Sequence, residues 1–320
     1  MPTKMDASIS QEMAYKLDKD PTYIKKIPAC MQTEKMALDI IKKDIKLFKH
    51  VKVKTPKVCL EVLYKDGNYI KYIDVPSKQM CKLAIMTTPS ALQYIKEPTE
   101  EVCKIALERN GSCLQYVTKQ TPLLCKIAIS SNPLALQYAK NQTEQLCLMA
   151  VSKVGSSLQY VLEQTKKIIS AAVSQDGLSL RFAALDDDEI CMQAVMENGY
   201  ALQYVKNQTL DICLTAVLNN PDAIKYVLEQ TSYLCLVAIL KNPLAIEHVK
   251  DQTEVVCIEA IKQEPSVLKY IKDKLPRYKV LAVKTCLKRV RQDSDYINEI
   301  SDNVLKEVIL KLLFKGSEKE

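Results

Sequence analysis

The chain is short of the residues on which many active sites depend. Its 320 residues contain six glycines, two histidines and no tryptophan. Few glycines leave little room for loops that cradle a nucleotide, and two histidines leave little for histidine-based catalysis or metal binding. Only five of the 45 basic residues are arginine. Bidentate recognition of phosphate groups is therefore not expected to be a main feature.

Long apolar segments are also missing. No apolar run approaches the roughly 18 residues that a bilayer-spanning helix needs, so no membrane span is predicted. The first residues are polar and do not have the pattern of a secretory signal. A cytoplasmic location is therefore expected, and thiols in that compartment stay reduced.

Nine of the twelve cysteines recur at a spacing of 22 residues. Ile169 and Ala37 stand at two further positions of the same column, so the column does not require sulfur. Stacked helices lie roughly 8 to 10 Å apart, beyond the ~7 Å limit between the Cα atoms of a disulfide. The column is therefore interpreted as a set of small buried hydrophobes, and Cys113 is expected in the core as well. Cys30 and Cys286 fall outside this scheme. The column consists of Cys59, Cys81, Cys103, Cys125, Cys147, Cys191, Cys213, Cys235 and Cys257.

Each unit carries two helix-start signals. Four residues before each position of the cysteine column stands an N-cap residue, whose side-chain oxygen accepts a hydrogen bond from the first helical turn. A second helix start lies eleven residues after this cap, and in seven of the units it is an Asn-Pro, Asn-Gly or Asp-Gly pair. Each unit is thus predicted to hold helices of about 10 and about 8 residues, neither of them stable alone in water. The caps are Thr33, Thr55, Ser77, Thr99, Thr121, Thr143, Thr165, Asp187, Thr209, Thr231 and Thr253.

These periods predict an all-α fold, a right-handed α-solenoid of about eleven regular 22-residue helix-pair repeats with degenerate terminal caps. Residues 1–32 are assigned to a degenerate N-terminal repeat or cap. The regular repeats occupy 33–274, and residues 275–320 are assigned to a C-terminal helical cap.

An aromatic residue or histidine stands thirteen residues after each position of the cysteine column. These rings either form a stacking surface for bases or a peptide, or close the edge of the core. Glutamine commonly precedes the ring, and lysine often follows two residues after it. Such a ridge is either a solvated face or a contact surface, since solenoids bind through repeated surface columns. The candidate partner-binding residues are Gln93, Lys96, Gln115, Gln137, Lys140, Gln159, Gln203 and Lys206.

Positive charge is concentrated near the start of the repeats. Residues 33–98 carry 13 basic and 7 acidic residues. This stretch is suited to RNA, a membrane surface or an acidic protein, or it serves solubility alone. The candidate basic patch consists of Lys42, Lys43, Lys46, Lys49, Lys52, Lys54 and Lys57.

Three segments carry a family resemblance: Ala-Leu-Gln-Tyr-Val-Lys-Asn-Gln-Thr at 201–209, Ala-Leu-Gln-Tyr-Ala-Lys-Asn-Gln-Thr at 135–143 and Lys-Tyr-Val-Leu-Glu-Gln-Thr at 225–231. They resemble a repeat family of unknown function that is abundant in giant DNA viruses of amoebae, especially mimivirus relatives. The resemblance extends over about 33–274. It implies a viral origin, with the protein in the host cytoplasm or the virion, and it supplies no activity, catalytic residue or cofactor.

The expected function is a non-enzymatic interaction scaffold for a protein or peptide partner. The alternative is an RNA- or DNA-associated solenoid that uses the basic N-terminal repeats and the glutamine and lysine ridge. No nucleophile, base or metal-ligand set converges in the pattern, so no catalytic residue, cofactor or metal is predicted. The oligomeric state is left open.

If the cysteines are buried hydrophobes, a reducing agent should leave the melting temperature unchanged. Differential scanning fluorimetry with and without a phosphine reductant measures this. A fall of several degrees on reduction would show that the cysteines are cross-linked.

Overall fold

The computed structural model describes residues 4–185, 187–300 and 302–317, and within these ranges every regular element is a helix. The chain divides into two compact units, one ending at Ala150 and the other beginning at Val151. Residues 1–3, 301 and 318–320 of the expected caps lie outside the described residues. None of the described helices is long and apolar enough to cross a membrane. The prediction of an all-α fold is confirmed.

The first helix of each repeat is an α-helix, as predicted, and all but one of these helices have ten residues. One face of each is buried; on the helix that follows Thr121 this face is formed by Leu124, Cys125, Ala128 and Ile129. The eleven helices are Glu34–Lys43, Pro56–Lys65, Lys78–Thr87, Glu100–Arg109, Pro122–Ser131, Glu144–Val151, Lys166–Gln175, Asp188–Glu197, Leu210–Asn219, Ser232–Lys241 and Glu254–Gln263.

The predicted N-caps begin these helices. The Thr209 hydroxyl accepts a hydrogen bond from the Ile212 N–H at 3.4 Å, and similar bonds recur in the other repeats. Asp187, the one carboxylate in the column, accepts from two N–H groups. Thr253 holds the cap position without a side-chain bond. The 22-residue period therefore locates all eleven helix starts.

The second helix of each repeat differs from the prediction of about eight α-helical residues. It is a six-residue 3₁₀-helix between two extended residues, and short pieces are the usual form of this tighter helix. Three residues per turn place Leu134 and Gln137 on the outer side, whereas Ala135 and Leu136 are buried. The helices are Ile45–His50, Gly67–Tyr72, Pro89–Tyr94, Gly111–Tyr116, Pro133–Tyr138, Gly155–Tyr160, Gly177–Phe182, Gly199–Tyr204, Pro221–Tyr226, Pro243–His248 and Pro265–Tyr270.

The two ends of the chain depart from the regular repeat. The N-terminal segment forms an α-helix at Lys4–Lys19 and 3₁₀-helices at Pro21–Lys26 and Ala29–Met31. The C-terminal segment forms α-helices at Pro276–Gln292, Tyr296–Glu299 and Asn303–Ser317.

Within each unit, a helix pair packs against the pairs before and after it, which is the arrangement of an α-solenoid. The backbones approach closely where glycine begins a second helix. A Cβ atom added at Gly111 would lie 2.1 Å from the Ala128 carbonyl oxygen, and one at Gly199 would lie 2.4 Å from that of Ala216. These glycines do not have positive φ angles. Glycine is therefore required because the close contact leaves no room for a side chain, and not because of the backbone conformation.

Replacing Thr143 by alanine should lower the free energy of unfolding by about 1 kcal/mol, because the bond from the Leu146 N–H to the Thr143 hydroxyl is lost. Thr253→Ala is the matched control: it changes the same cap position but removes no side-chain cap bond. Urea denaturation measures both variants. Equal decreases in the free energy of unfolding of the two variants would show that loss of the cap hydrogen bond is not the cause.

Candidate functional site

Three glutamines lie exposed on the 3₁₀-helices of the first unit, and their amides are held in place. In each, Nε2 donates to the carbonyl three residues earlier, a bond that 3₁₀ geometry brings within reach. Among the described residues no group donates to their Oε1 atoms, so these oxygens face solvent without a partner. The bonds join Gln93 to Ser90 (3.0 Å), Gln115 to Ser112 (3.1 Å) and Gln137 to Leu134 (3.1 Å).

The second unit repeats this arrangement at two positions. Gln159 donates to the Ser156 carbonyl at 3.0 Å, and Gln203 donates to the Tyr200 carbonyl at 2.9 Å. Both side chains are exposed. We call the five residues Gln93, Gln115, Gln137, Gln159 and Gln203 the ridge glutamines.

The lysines assigned to the same ridge are not equivalent. Lys96 and Lys206 are exposed. Lys140 is exposed too, but its ammonium group donates to the Thr118 carbonyl of the preceding repeat at 3.2 Å. The Lys272 ammonium group makes the same kind of bond, to the Lys250 carbonyl at 2.8 Å. Lysine at this position therefore also links neighbouring repeats.

Most rings of the aromatic column are half-buried. Where a basic residue rather than glutamine precedes a tyrosine or phenylalanine of the column, its cation lies over the ring. The Lys225 ammonium nitrogen is 4.8 Å from the ring centroids of both Tyr200 and Tyr226, and the Arg181 guanidinium is 4.4 Å from that of Phe182. This column thus combines core closure with a partly exposed aromatic edge.

The basic patch is only partly available to a ligand. Lys43 is paired with Asp18, and the Lys54 ammonium group donates to the Tyr72 carbonyl. Burial lowers the pKa of His50, and the nearby charges of Lys25, Lys49 and Lys52 lower it further. A positive potential is therefore present at this patch. The exposed members are Lys42, Lys43, Lys46, Lys49, Lys52 and Lys57.

The cysteine column is buried, as predicted, and so are Cys113 and Cys286, whereas Cys30 is exposed. All twelve thiols are free. Burial raises the pKa of column thiols such as Cys125 and Cys213. It raises the pKa of Cys113 and that of Cys286 to about 11, which keeps these two thiols protonated at neutral pH. In the part of the chain that the structure describes, no three His, Cys, Asp or Glu side chains are grouped so as to hold a metal ion.

A second set of glutamines, which the sequence analysis did not assign to any role, joins successive repeats. Gln208 precedes the N-cap Thr209, and its Nε2 donates to the carbonyls of Leu202 at 3.3 Å and Tyr226 at 3.0 Å. Its Oε1 accepts from the Leu228 N–H at 2.9 Å. One half-buried carboxamide thus satisfies three backbone groups and spans two repeats.

The same three bonds recur at four further glutamines that precede an N-cap of the regular repeats, where both repeats belong to one unit. We call Gln208 and these four residues the latch glutamines. Gln32, before the N-cap Thr33, shares only the bond that Oε1 accepts, from the Lys52 N–H at 2.7 Å. The nearby column thiol adds a weak contact in some repeats, such as Cys213 Sγ to Gln208 Oε1 at 3.7 Å. The sequence feature that marks the latch glutamines is the Gln-Thr pair at 22-residue spacing. The sequence alone does not show which backbone groups of the next repeat lie beside the glutamine after stacking. The latch glutamines are Gln120, Gln164, Gln208, Gln230 and Gln252.

Comparison with known proteins gives one family. A model described as a domain of unknown function (DUF4116) matches residues 165–210 and again 187–230. The two matches begin 22 residues apart, which is one repeat. The comparison with curated proteins gives no match, and neither does the comparison with solved structures. The chain is therefore similar to DUF4116 over part of the second unit.

Replacing Gln208 by alanine should lower the free energy of unfolding by about 2 to 3 kcal/mol, because three backbone groups lose their partner. Gln203→Ala is the matched control and should change it by less than about 0.5 kcal/mol, since this exposed residue bonds only within its own helix. Urea denaturation measures the difference, and hydrogen exchange should show a faster Leu228 amide in Gln208→Ala alone. An unchanged Leu228 amide would contradict the latch.

Proposed function

We propose that the protein is a non-enzymatic interaction scaffold that binds a protein or peptide partner through its ridge glutamines. The observation that carries this proposal is that each ridge amide is fixed by a bond to its own helix. A side chain that is already ordered loses little conformational freedom when a partner binds. In each unit, the ridge therefore offers a row of pre-ordered oxygen acceptors.

The chemistry of this surface favours a partner rich in hydrogen-bond donors. An Oε1 atom accepts from backbone N–H groups and from arginine, lysine or amide side chains. The aromatic edges beside the ridge glutamines add apolar area, as is common in protein interfaces. A segment of peptide chain laid across the three repeats that carry Gln93, Gln115 and Gln137 would meet one acceptor per repeat.

We propose no catalytic activity for this scaffold. The column thiols are buried and have raised pKa values, which disfavours the nucleophilic thiolate. These features support binding rather than chemistry, and no cofactor or metal is part of the proposal.

A viral origin, with the protein in the host cytoplasm or the virion, is also proposed. It rests on the resemblance of residues 135–143 and 201–209 to giant-virus repeats and on the large excess of lysine over arginine.

A second candidate function is association with RNA or DNA. The observation that favours it is the group of exposed lysines in the basic patch, together with the lowered pKa of His50 beside them. Lysines act as point charges toward phosphate, so such binding would depend strongly on salt.

The triple variant Gln93→Ala, Gln115→Ala, Gln137→Ala should lose partner binding by at least about tenfold, which corresponds to about 1.4 kcal/mol. The matched control is Lys104→Ala, Lys126→Ala, Gln145→Ala, which changes three exposed residues on the first helices of the same unit. A peptide array screened with the wild type, followed by titration of the best peptides with both variants, measures this.

Equal binding by both variants would contradict the ridge as the contact surface. A filter-binding titration with single-stranded RNA distinguishes the second candidate. Micromolar binding with a steep salt dependence would favour the nucleic-acid function, and no binding at low salt would eliminate it.

A further inference from the structure

Two clefts between successive repeats, one in each unit, are lined by equivalent residues. The cleft at Gln208 has a volume of about 360 Å³. Its latch glutamine bonds the Tyr226 carbonyl and the Leu228 N–H across the repeat boundary. The lining also includes Lys206, Cys213, Leu228, Thr231 and Leu234.

The corresponding cleft five repeats earlier contains proline instead of glutamine. Pro98 stands directly before the N-cap Thr99, which is the position that the latch glutamines hold in other repeats. We call this position the latch position and this cleft the Pro98 cleft. Its volume is about 500 Å³, larger than that of the cleft at Gln208. The other lining residues occupy the same repeat positions: Lys96, Glu97, Glu100, Cys103, Thr118, Lys119, Thr121 and Leu124, with Val117 in addition.

Proline at this position leaves two backbone groups without the bonds that a latch glutamine makes. The Tyr116 carbonyl corresponds to that of Tyr226, and the Thr118 N–H corresponds to that of Leu228. Within the described part of the chain, neither group has a hydrogen-bond partner. The Thr118 carbonyl accepts from the Lys140 ammonium group. The Thr118 N–H has no such bond, and Thr118 lines the cleft.

The lining of the Pro98 cleft suits a neutral polar group with an apolar stem. Val117, Leu124 and Cys103 are buried and apolar. Two lysines and two glutamates, Lys96, Lys119, Glu97 and Glu100, lie at the rim with balanced charge. A ligand of either sign therefore meets repulsion as well as attraction, whereas a neutral ligand does not.

We propose that the Pro98 cleft binds a primary carboxamide, such as the glutamine side chain of a partner peptide. A primary carboxamide donates from nitrogen to the Tyr116 carbonyl and accepts through oxygen from the Thr118 N–H, as the latch glutamines do elsewhere. The proposal does not depend on the ridge, because no ridge glutamine lines this cleft.

The test is a titration of the deuterated, ¹⁵N-labelled full chain with N-acetylglutamine methylamide. We expect the Thr118 amide resonance to shift and saturate, with a dissociation constant on the order of millimolar for so small a probe. The dissociation constant of the glutamate analogue, measured from the Thr118 shift, should be at least about tenfold higher, since a carboxylate cannot donate to the Tyr116 carbonyl.

The variant Pro98→Gln should abolish the Thr118 response, because the chain's own carboxamide then fills the cleft. Its melting temperature should rise by about 2 to 4 °C from the added bonds, which also reports that it folds. Pro76→Gln, the control at the same position one repeat earlier, should leave the Thr118 response unchanged.

The proposal is overturned if Thr118 does not respond to the glutamine probe, or if the glutamate analogue binds equally well. It is also overturned if Pro98→Gln keeps the full response.

Discussion

The backbone contact between one repeat and the next is the constraint on which the rest of this structure depends. Helices of ten and six residues are too short to be stable in water, so each needs its neighbours. Apolar burial supplies much of the stabilisation, but it has no direction. The latch carboxamide adds direction, because its three bonds are made only when the following repeat lies at one distance and in one register.

The small residues of the repeat follow from the same constraint. Alanine at the position of Ala216 and glycine at the position of Gly199 let two backbones meet where a Cβ atom would overlap a carbonyl oxygen. Where glycine begins the second helix, its N–H donates to the next repeat in some cases, as Gly199 does to Asn219. Proline begins the second helix in other repeats and lacks this donor, so the repeats are not identical in how they join.

The columns that face the core and the helix caps were predictable because each depends on local spacing. The position of Cys125 within a helical face, and of Thr121 four residues before it, is fixed by periods that a single sequence displays. The 3₁₀ form of the second helices was missed, since a six-residue apolar pattern does not distinguish the two helix types. The latch role of Gln208 was missed because its partners lie 18 and 20 residues away and meet only after stacking. Lys54 was assigned to the basic patch, yet it stands directly before the N-cap Thr55, where other repeats have a latch glutamine. Its ammonium group donates to the Tyr72 carbonyl.

A regular array that satisfies its own backbone leaves only its side chains, such as the ridge glutamines, for a partner to recognise. At each latch glutamine, the carbonyl and N–H groups of the next repeat are already bonded, so those repeats present only side chains to a partner. Pro76 and Pro98 interrupt this pattern in two successive repeats of the first unit. Recognition of backbone groups is therefore expected where the repeat departs from its consensus, because there the backbone itself has hydrogen-bonding groups to offer. Such a departure weakens the local contact between repeats, and a ligand that restores the missing bonds would strengthen it, which couples binding to the stability of the array.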